Sequence, residues 1–212
     1  WGPGWSHVLG WDIGFNDAMA LVVWGWHEND PTLYEAASWA ESKVLSDTVV
    51  ERIREFQQRF NIIKMVADTG GGGRLFVEEV QSRYGLVFEP AQKQNKYEHV
   101  VLMNNDFLTG RIKTLPSSAY SWDVARLPKD PDWDPDSGRP PHEDPRFPNH
   151  TTDAGLYAWR YAYNFLSELD TPEPKVGTQE YTDAVERKMI ESLTNPKESA
   201  WWEPEGDGHG LE

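Results

Sequence analysis

Three aspartates stand where this chain can gather carboxylates. Asp12 closes the apolar run HVLGWDI (residues 7–13), and Asp68 follows the apolar run IIKMVA (62–67). Asp153 falls in the first turn of a helical segment, HTTDAGLYAWRYA (150–162). Singly, each has an ordinary structural reading: Asp is common in turns, and an Asp in a first helical turn caps the helix or complements its dipole. As an ordered set they suggest more. Converging carboxylates raise one another's pKa and do not all ionise cheaply without a cation. Hard divalent cations relieve that repulsion through oxygen ligands. Two such ions about 3.5–4 Å apart can activate a water and stabilise the leaving oxygen of a phosphodiester. The residue types therefore point to metal-dependent phosphodiester chemistry.

That chemistry needs elements that bring the three together. Residues 7–13, 18–27 (AMALVVWGWH) and 32–40 (TLYEAASWA), with a turn at Asn29-Asp30-Pro31, read as a three-strand antiparallel meander. Ser46 reads as an N-cap, and Val49, Val50, Ile53, Phe56 and Phe60 fall at helical spacing, giving a helix over 46–60. Residues 62–67 read as a buried parallel strand. After Gly70 to Gly73 comes a helix over 74–84 with Gly85 as its stop. A short strand at 86–88, a helix over 93–108 and a strand at 111–115 follow. Residues 116–149, dense in Pro and Asp, read as a loop or irregular excursion. Helix returns over 151–166. The order implies an α/β fold: a mixed sheet, meander plus parallel strands, with helices on both faces. The first and fourth strands are then natural neighbours, which sets Asp12 beside Asp68. The expected organisation is one domain over 1–170 and an acidic tail over 171–212, with a polar helix at about 179–193.

Composition narrows the class. The chain has 212 residues, 38% hydrophobic and 26% charged, which suits one globular domain with a tail. It has no Cys, which excludes disulfides, zinc–thiolate sites and a thiol nucleophile. No apolar run is long enough to span a bilayer. The first residue is Trp1 rather than Met, which reads as a domain excised from a longer protein. The net charge of −15 argues on its face against a nucleic-acid coat or an anionic membrane surface. It is unevenly spread, however. Residues 1–115 hold 11 Lys/Arg against 15 Asp/Glu, a net −4, and residues 116–212 hold 9 against 20, a net −11.

Four segments together resemble the RNase H-like (RuvC-type) nuclease domain of tailed-phage terminase large subunits. They are WDIGFNDAMALVV (11–23), VADTGGGGRLFVEEVQ (66–81), KQNKYEHVVLMNNDFLTGRIKTL (93–115) and HTTDAGLYAWRYA (150–162). The resemblance covers about residues 7–166. It implies that Asp12, Asp68 and Asp153 are the catalytic metal ligands for two Mg2+ or Mn2+ ions. It also implies an endonuclease that cuts concatemeric double-stranded viral DNA, with little sequence specificity, during genome packaging in the host cytoplasm. Implied partners are the portal protein and the small terminase subunit, with no membrane. The family's ATPase motor would lie elsewhere, since no Walker-type GxxxxGK[ST] occurs in these residues.

Other residues carry open readings. Lys93 and Lys96 sit at a helix start, where the dipole disfavours cations, so they are candidates for DNA phosphate. Arg111 and Lys113 alternate on the following strand and extend that candidate track. Asp17 either stabilises a turn or orients a ligand of the site, and His150 either caps a helix or supports Asp153. Gly70 to Gly73 either cradle a phosphate or let the chain turn closely. Trp11, Trp24, Trp26, Trp39 and Trp159 read as core, and Trp122 and Trp133 as loop anchors. Two alternatives stand beside the nuclease. Asp12-Ile-Gly14 with Asp68-Thr-Gly-Gly also resembles the phosphate loops of the actin/Hsp70/sugar-kinase ATP-binding superfamily. The eleven Trp would also suit a binding module without catalysis.

Overall fold

The computed structural model describes residues 1–14 and 18–169, together with Gln179 and Thr182. Asp17, and all but those two residues of the helix expected over 179–193, lie outside the described residues. Trp1–Asp170 form one compact unit. Its sheet has six strands in the order β5-β4-β1-β2-β3-β6. The meander is β1 (Trp5–Asp12), β2 (Ala18–His27) and β3 (Asp30–Ser42). To it are added β4 (Ile62–Ala67), β5 (Glu89–Pro90) and β6 (Ile112–Lys113). β1 pairs antiparallel with β2 and parallel with β4, while β6 adds in parallel to β3 at the other edge.

The side-chain period of two sorts β1 and β2 between two cores. Val8, Ala20, Val22 and Trp24 face α3 (Lys96–Leu108), α4 (Ala119–Val124) and α5 (His150–Leu169). Leu9, Trp11, Met19, Leu21 and Val23 face α1 (Ser46–Arg59) and α2 (Gly73–Tyr84). Because both faces are covered, these strands read as continuous apolar runs rather than alternating ones. Trp11, Trp24, Trp26 and Trp159 are buried in these cores. Trp39 is only half-buried, with the Arg52 guanidinium 5.9 Å from its ring.

Several local expectations shift. Ser46 is the first helical residue and not the cap; its hydroxyl donates to Glu79 at 3.4 Å. The strand expected at 86–88 lies at Glu89–Pro90, because Leu86 and Phe88 are drawn into the α1/α2 core. The helix expected from 93 begins at Lys96, since Asn95 is left-handed at φ 54°. The strand over 111–115 shortens to Ile112–Lys113. The segment 116–149 contains α4, capped by the Ser118 hydroxyl on the Ser121 N–H, and a 3-10 turn at Pro135–Ser137. At six residues, α4 is too short to show a period; it is held by buried Tyr120, whose ring meets Trp24 edge-on at 5.0 Å.

α5 decides where the site forms. It lies directly on β1 at Gly10, where an added Cβ would stand 1.9 Å from the Ala154 carbonyl oxygen. Trp24 Nε1 donates to the Gly155 carbonyl at 2.9 Å, and Trp159 Nε1 donates to Asp106 at 3.0 Å. The helix is therefore fixed in both position and rotation.

Candidate functional site

Asp12 and Asp68 leave the sheet side by side. Trp11 and Ala67 are partners in the parallel β1–β4 ladder, and the Asp68 N–H donates to the Trp11 carbonyl at 2.9 Å. After Asp68 the chain doubles back tightly. Asp68 Oδ1 accepts the Gly70 N–H at 2.7 Å, and a Cβ on Gly73 would meet the Asp68 carbonyl oxygen at 2.6 Å. Gly71 is left-handed at φ 54°. The glycine run thus serves a close turn that aims the Asp68 carboxylate. The close contact of α5 with Gly10 then carries Asp153, one residue before Ala154, over the same strand ends.

Each aspartate meets a different basic side chain. His150 Nδ1 donates to Asp12 Oδ2 at 2.8 Å, so this histidine supports Asp12 rather than its near neighbour Asp153. Lys93 pairs with Asp68. Lys96 Nζ stands 2.6 Å from Asp153 Oδ1 and 2.9 Å from Glu143 Oε1. Arg160 on α5 donates to the Gln94 carbonyl at 2.9 Å and to that of Gln92, tying the Lys93 segment to the helix.

The electrostatics reflect the same convergence. Burial lifts the Asp153 carboxyl to about 6; Lys96 draws it down, and Asp12 and Glu143 push it up. Burial, then Asp153, Asp12, Asp68 and Glu143 in turn, raise the Tyr157 phenol far above its usual range. Burial works to lower the Lys96 pKa, but Asp153 and Glu143 outweigh it and hold the ammonium above the ordinary lysine value. One phenol and one ammonium thus sense the acidic groups delivered by β1, β4, α5 and the 116–149 segment.

Sequence reasoning missed Tyr157 and Glu143. Tyr157 was legible, since it lies one helical repeat after Asp153 on the same face. Glu143 was not, because its segment has no period. Conversely, Arg111 and Lys113 do not extend the lysine pair. Tyr34↔Lys113 continues the row Tyr34↔Gly25 and Gly25↔His7, five residues short of Asp12 along β1 and three strands across. That is roughly 15 Å in each direction at ordinary strand spacings. Lys113 stacks on Tyr34 at 5.6 Å, and Arg111 contributes to the field at buried Asp106.

The donor set suits a hard divalent cation: carboxylate oxygens from three elements on a common point of the fold, with no sulfur. As the side chains stand, no three acidic or histidine groups among the described residues are close enough to share one ion. The oxygens are instead engaged by Lys93, Lys96 and His150.

Comparison with solved structures places the fold. The nuclease domain of the large terminase (g2p) of bacteriophage SPP1, with bound manganese, matches with a TM-score of 0.55 at 19% identity, over 74% of this chain and 86% of that one. The large terminase nuclease from thermophilic phage G20c, with bound magnesium, gives 0.59 at 14% identity, over 76% and 83%. The large terminase of another thermophilic bacteriophage gives 0.61 at 11% identity over 78% of this chain, which spans 40% of that protein. No family model and no curated protein sequence matches the chain. At these identities the likeness is one of fold: the chain has the fold of large-terminase nuclease domains.

Proposed function

We propose that this chain is the metal-dependent endonuclease part of a larger phage DNA-packaging protein. One observation carries the reading: Asp12 and Asp68 leave adjacent strand ends, joined by the Asp68 N–H on the Trp11 carbonyl, and the seating of α5 on Gly10 brings Asp153 to the same end of the sheet. The similar SPP1 and G20c nuclease domains have bound manganese and magnesium, which supports a divalent metal for this fold. Asp12, Asp68 and Asp153 are the residues to hold two Mg2+ or Mn2+ ions. The chemistry such ions supply is an activated water and compensation of charge on the leaving oxygen of a phosphodiester.

The chain's own residues do the rest. His150 fixes the Asp12 carboxylate through Oδ2, leaving Oδ1 for other work. The Gly70 N–H fixes Asp68 through Oδ1. Lys93 and Lys96 stand where a cation is useful to a DNA phosphate once their carboxylates are otherwise occupied. Tyr157, neutral at any working pH, keeps a hydroxyl donor among the acids. The glycine run leading into helix α2 departs from the hairpin expected of an ATP-binding phosphate loop. The four core Trp are spent on packing, which leaves the binding-module reading little support. Cleavage of concatemers, and the portal protein and small subunit as partners, belong to the same proposal and come from the family resemblance.

Plasmid cleavage tests it. The parent protein nicks and linearises plasmid in Mn2+ and stops with chelator. D12N, D68N and D153N each lose at least about a hundredfold in rate while melting within a few degrees of the parent. Cleavage by D12N at the parental rate rejects the proposal.

A further inference from the structure

Among the described residues, Glu143 is an acidic group at this site that the proposed ligand set does not use. Its segment is Pro-rich and largely irregular, yet it is fixed on both sides of this one residue. Lys129 and Glu143 form an antiparallel bridge. The Asp130 N–H donates to the His142 carbonyl and the Asp144 N–H to the Pro128 carbonyl, each at 3.0 Å. His142 Nε2 donates to Asp130 Oδ2 at 3.0 Å. Buried Asp144 accepts both Nε and Nη2 of Arg146, at 2.8 and 2.6 Å. The flanking side chains thus brace the clasp, while Glu143 turns to Lys96.

Lys96 bridges Asp153 Oδ1 at 2.6 Å and Glu143 Oε1 at 2.9 Å, with only a third of its side chain exposed. A carboxylate held by an ammonium is a poor ligand for another cation, so Asp153 must give up Lys96 to bind a divalent ion. A largely buried ammonium with no other partner would resist that exchange strongly. Glu143 removes the obstacle because it is a second acceptor already in contact. We propose that Glu143 is a positioning residue that retains Lys96 while Asp153 passes to a divalent cation. This inference rests on the reading of Asp153 as a metal ligand.

The test is calorimetric titration of Mg2+ into the whole chain and into E143Q, K96M and the double variant, with metal-free melts to check folding. E143Q should bind Mg2+ about tenfold more weakly than the parent, because Asp153 is then the one charged acceptor of Lys96 and a neutral amide oxygen holds the ammonium poorly. In the K96M background the same E143Q change should cost no more than about twofold, since the competitor is gone. If E143Q weakens binding equally in both backgrounds, Glu143 acts by its own charge and the inference is wrong. Parental affinity in E143Q also overturns it. Should E143Q melt early, E143D provides the comparison: it keeps the charge at shorter reach, and the inference then requires a smaller loss that K96M again abolishes. Failure of the underlying reading is separate: D153N would then bind Mg2+ as tightly as the parent.

Discussion

Asp12, Asp68 and Asp153 are each held by a different partner, and the partner sets what each oxygen is free to do. Elsewhere a buried titratable group has no such partner. His7 on β1 is fully buried among Trp1, Trp5 and Phe60; among the described residues neither ring nitrogen makes a well-formed hydrogen bond, and the nearby Asn61 backbone only partly offsets burial. Burial lowers its pKa to about 4 from the usual 6.5. Below the unfolded pKa the unfolded chain binds the proton and the folded chain does not, so stability falls as pH drops from about 6.5 to 4. The loss is on the order of 3 kcal/mol when complete. Asp153, raised to about 6, titrates in the opposite sense over the same range. The His7 effect must therefore be read as a difference. Chemical denaturation of the parent and of His7→Phe between about pH 7 and 4.5 should show the parent losing stability faster by about one proton's slope. Parallel curves would mean that His7 is not held neutral.

At the scale of elements, the join between β1 and α5 carries the site. Gly10→Ala would drive a methyl into the Ala154 carbonyl oxygen 1.9 Å away, so α5 must lift or slide. We expect a loss of about 3 kcal/mol of stability by denaturant melting, with a further loss of cleavage in whatever protein remains folded. A Gly10→Ala protein as stable as the parent would show that α5 is not seated on β1 as described. This contact also explains what was legible beforehand. The run HVLGWDI announced a buried strand ending in Asp12, IIKMVA announced its parallel neighbour, and periodic Leu156 and Trp159 announced the helix. Those elements are long and patterned, and their order alone brings Asp12 beside Asp68. That His150 would reach Asp12 was not legible, because it depends on where α5 sits along β1. Nor was Glu143, whose position depends on a clasp between Lys129 and Glu143 across a segment without period. The proposed lysine track divided for a similar reason. Lys93 and Lys96 stand just before and at the start of α3, beside the site, whereas Arg111 and Lys113 lie past its other end, at the far edge strand.

At the scale of the whole molecule, the net charge of −15 is the feature to reconcile with a DNA partner. Most of it lies beyond residue 115, and at the site three aspartates are already partnered by Lys93, Lys96 and His150. The chain should bind duplex DNA weakly, through phosphate. Anisotropy titrations in Ca2+ should then give an affinity that falls with salt and is the same for unrelated duplexes of equal length. A short duplex bound far more tightly than random sequence would contradict a backbone-directed interface. The central claim is that the described acidic cluster is a divalent-metal site, and diffraction tests that claim most directly. Crystals soaked in millimolar Mn2+ and measured for anomalous scattering should show one or two peaks among Asp12, Asp68 and Asp153, with Lys96 withdrawn from Asp153 toward Glu143. Anomalous maps with no peak there, and with Lys93 and Lys96 still seated on Asp68 and Asp153, would contradict it.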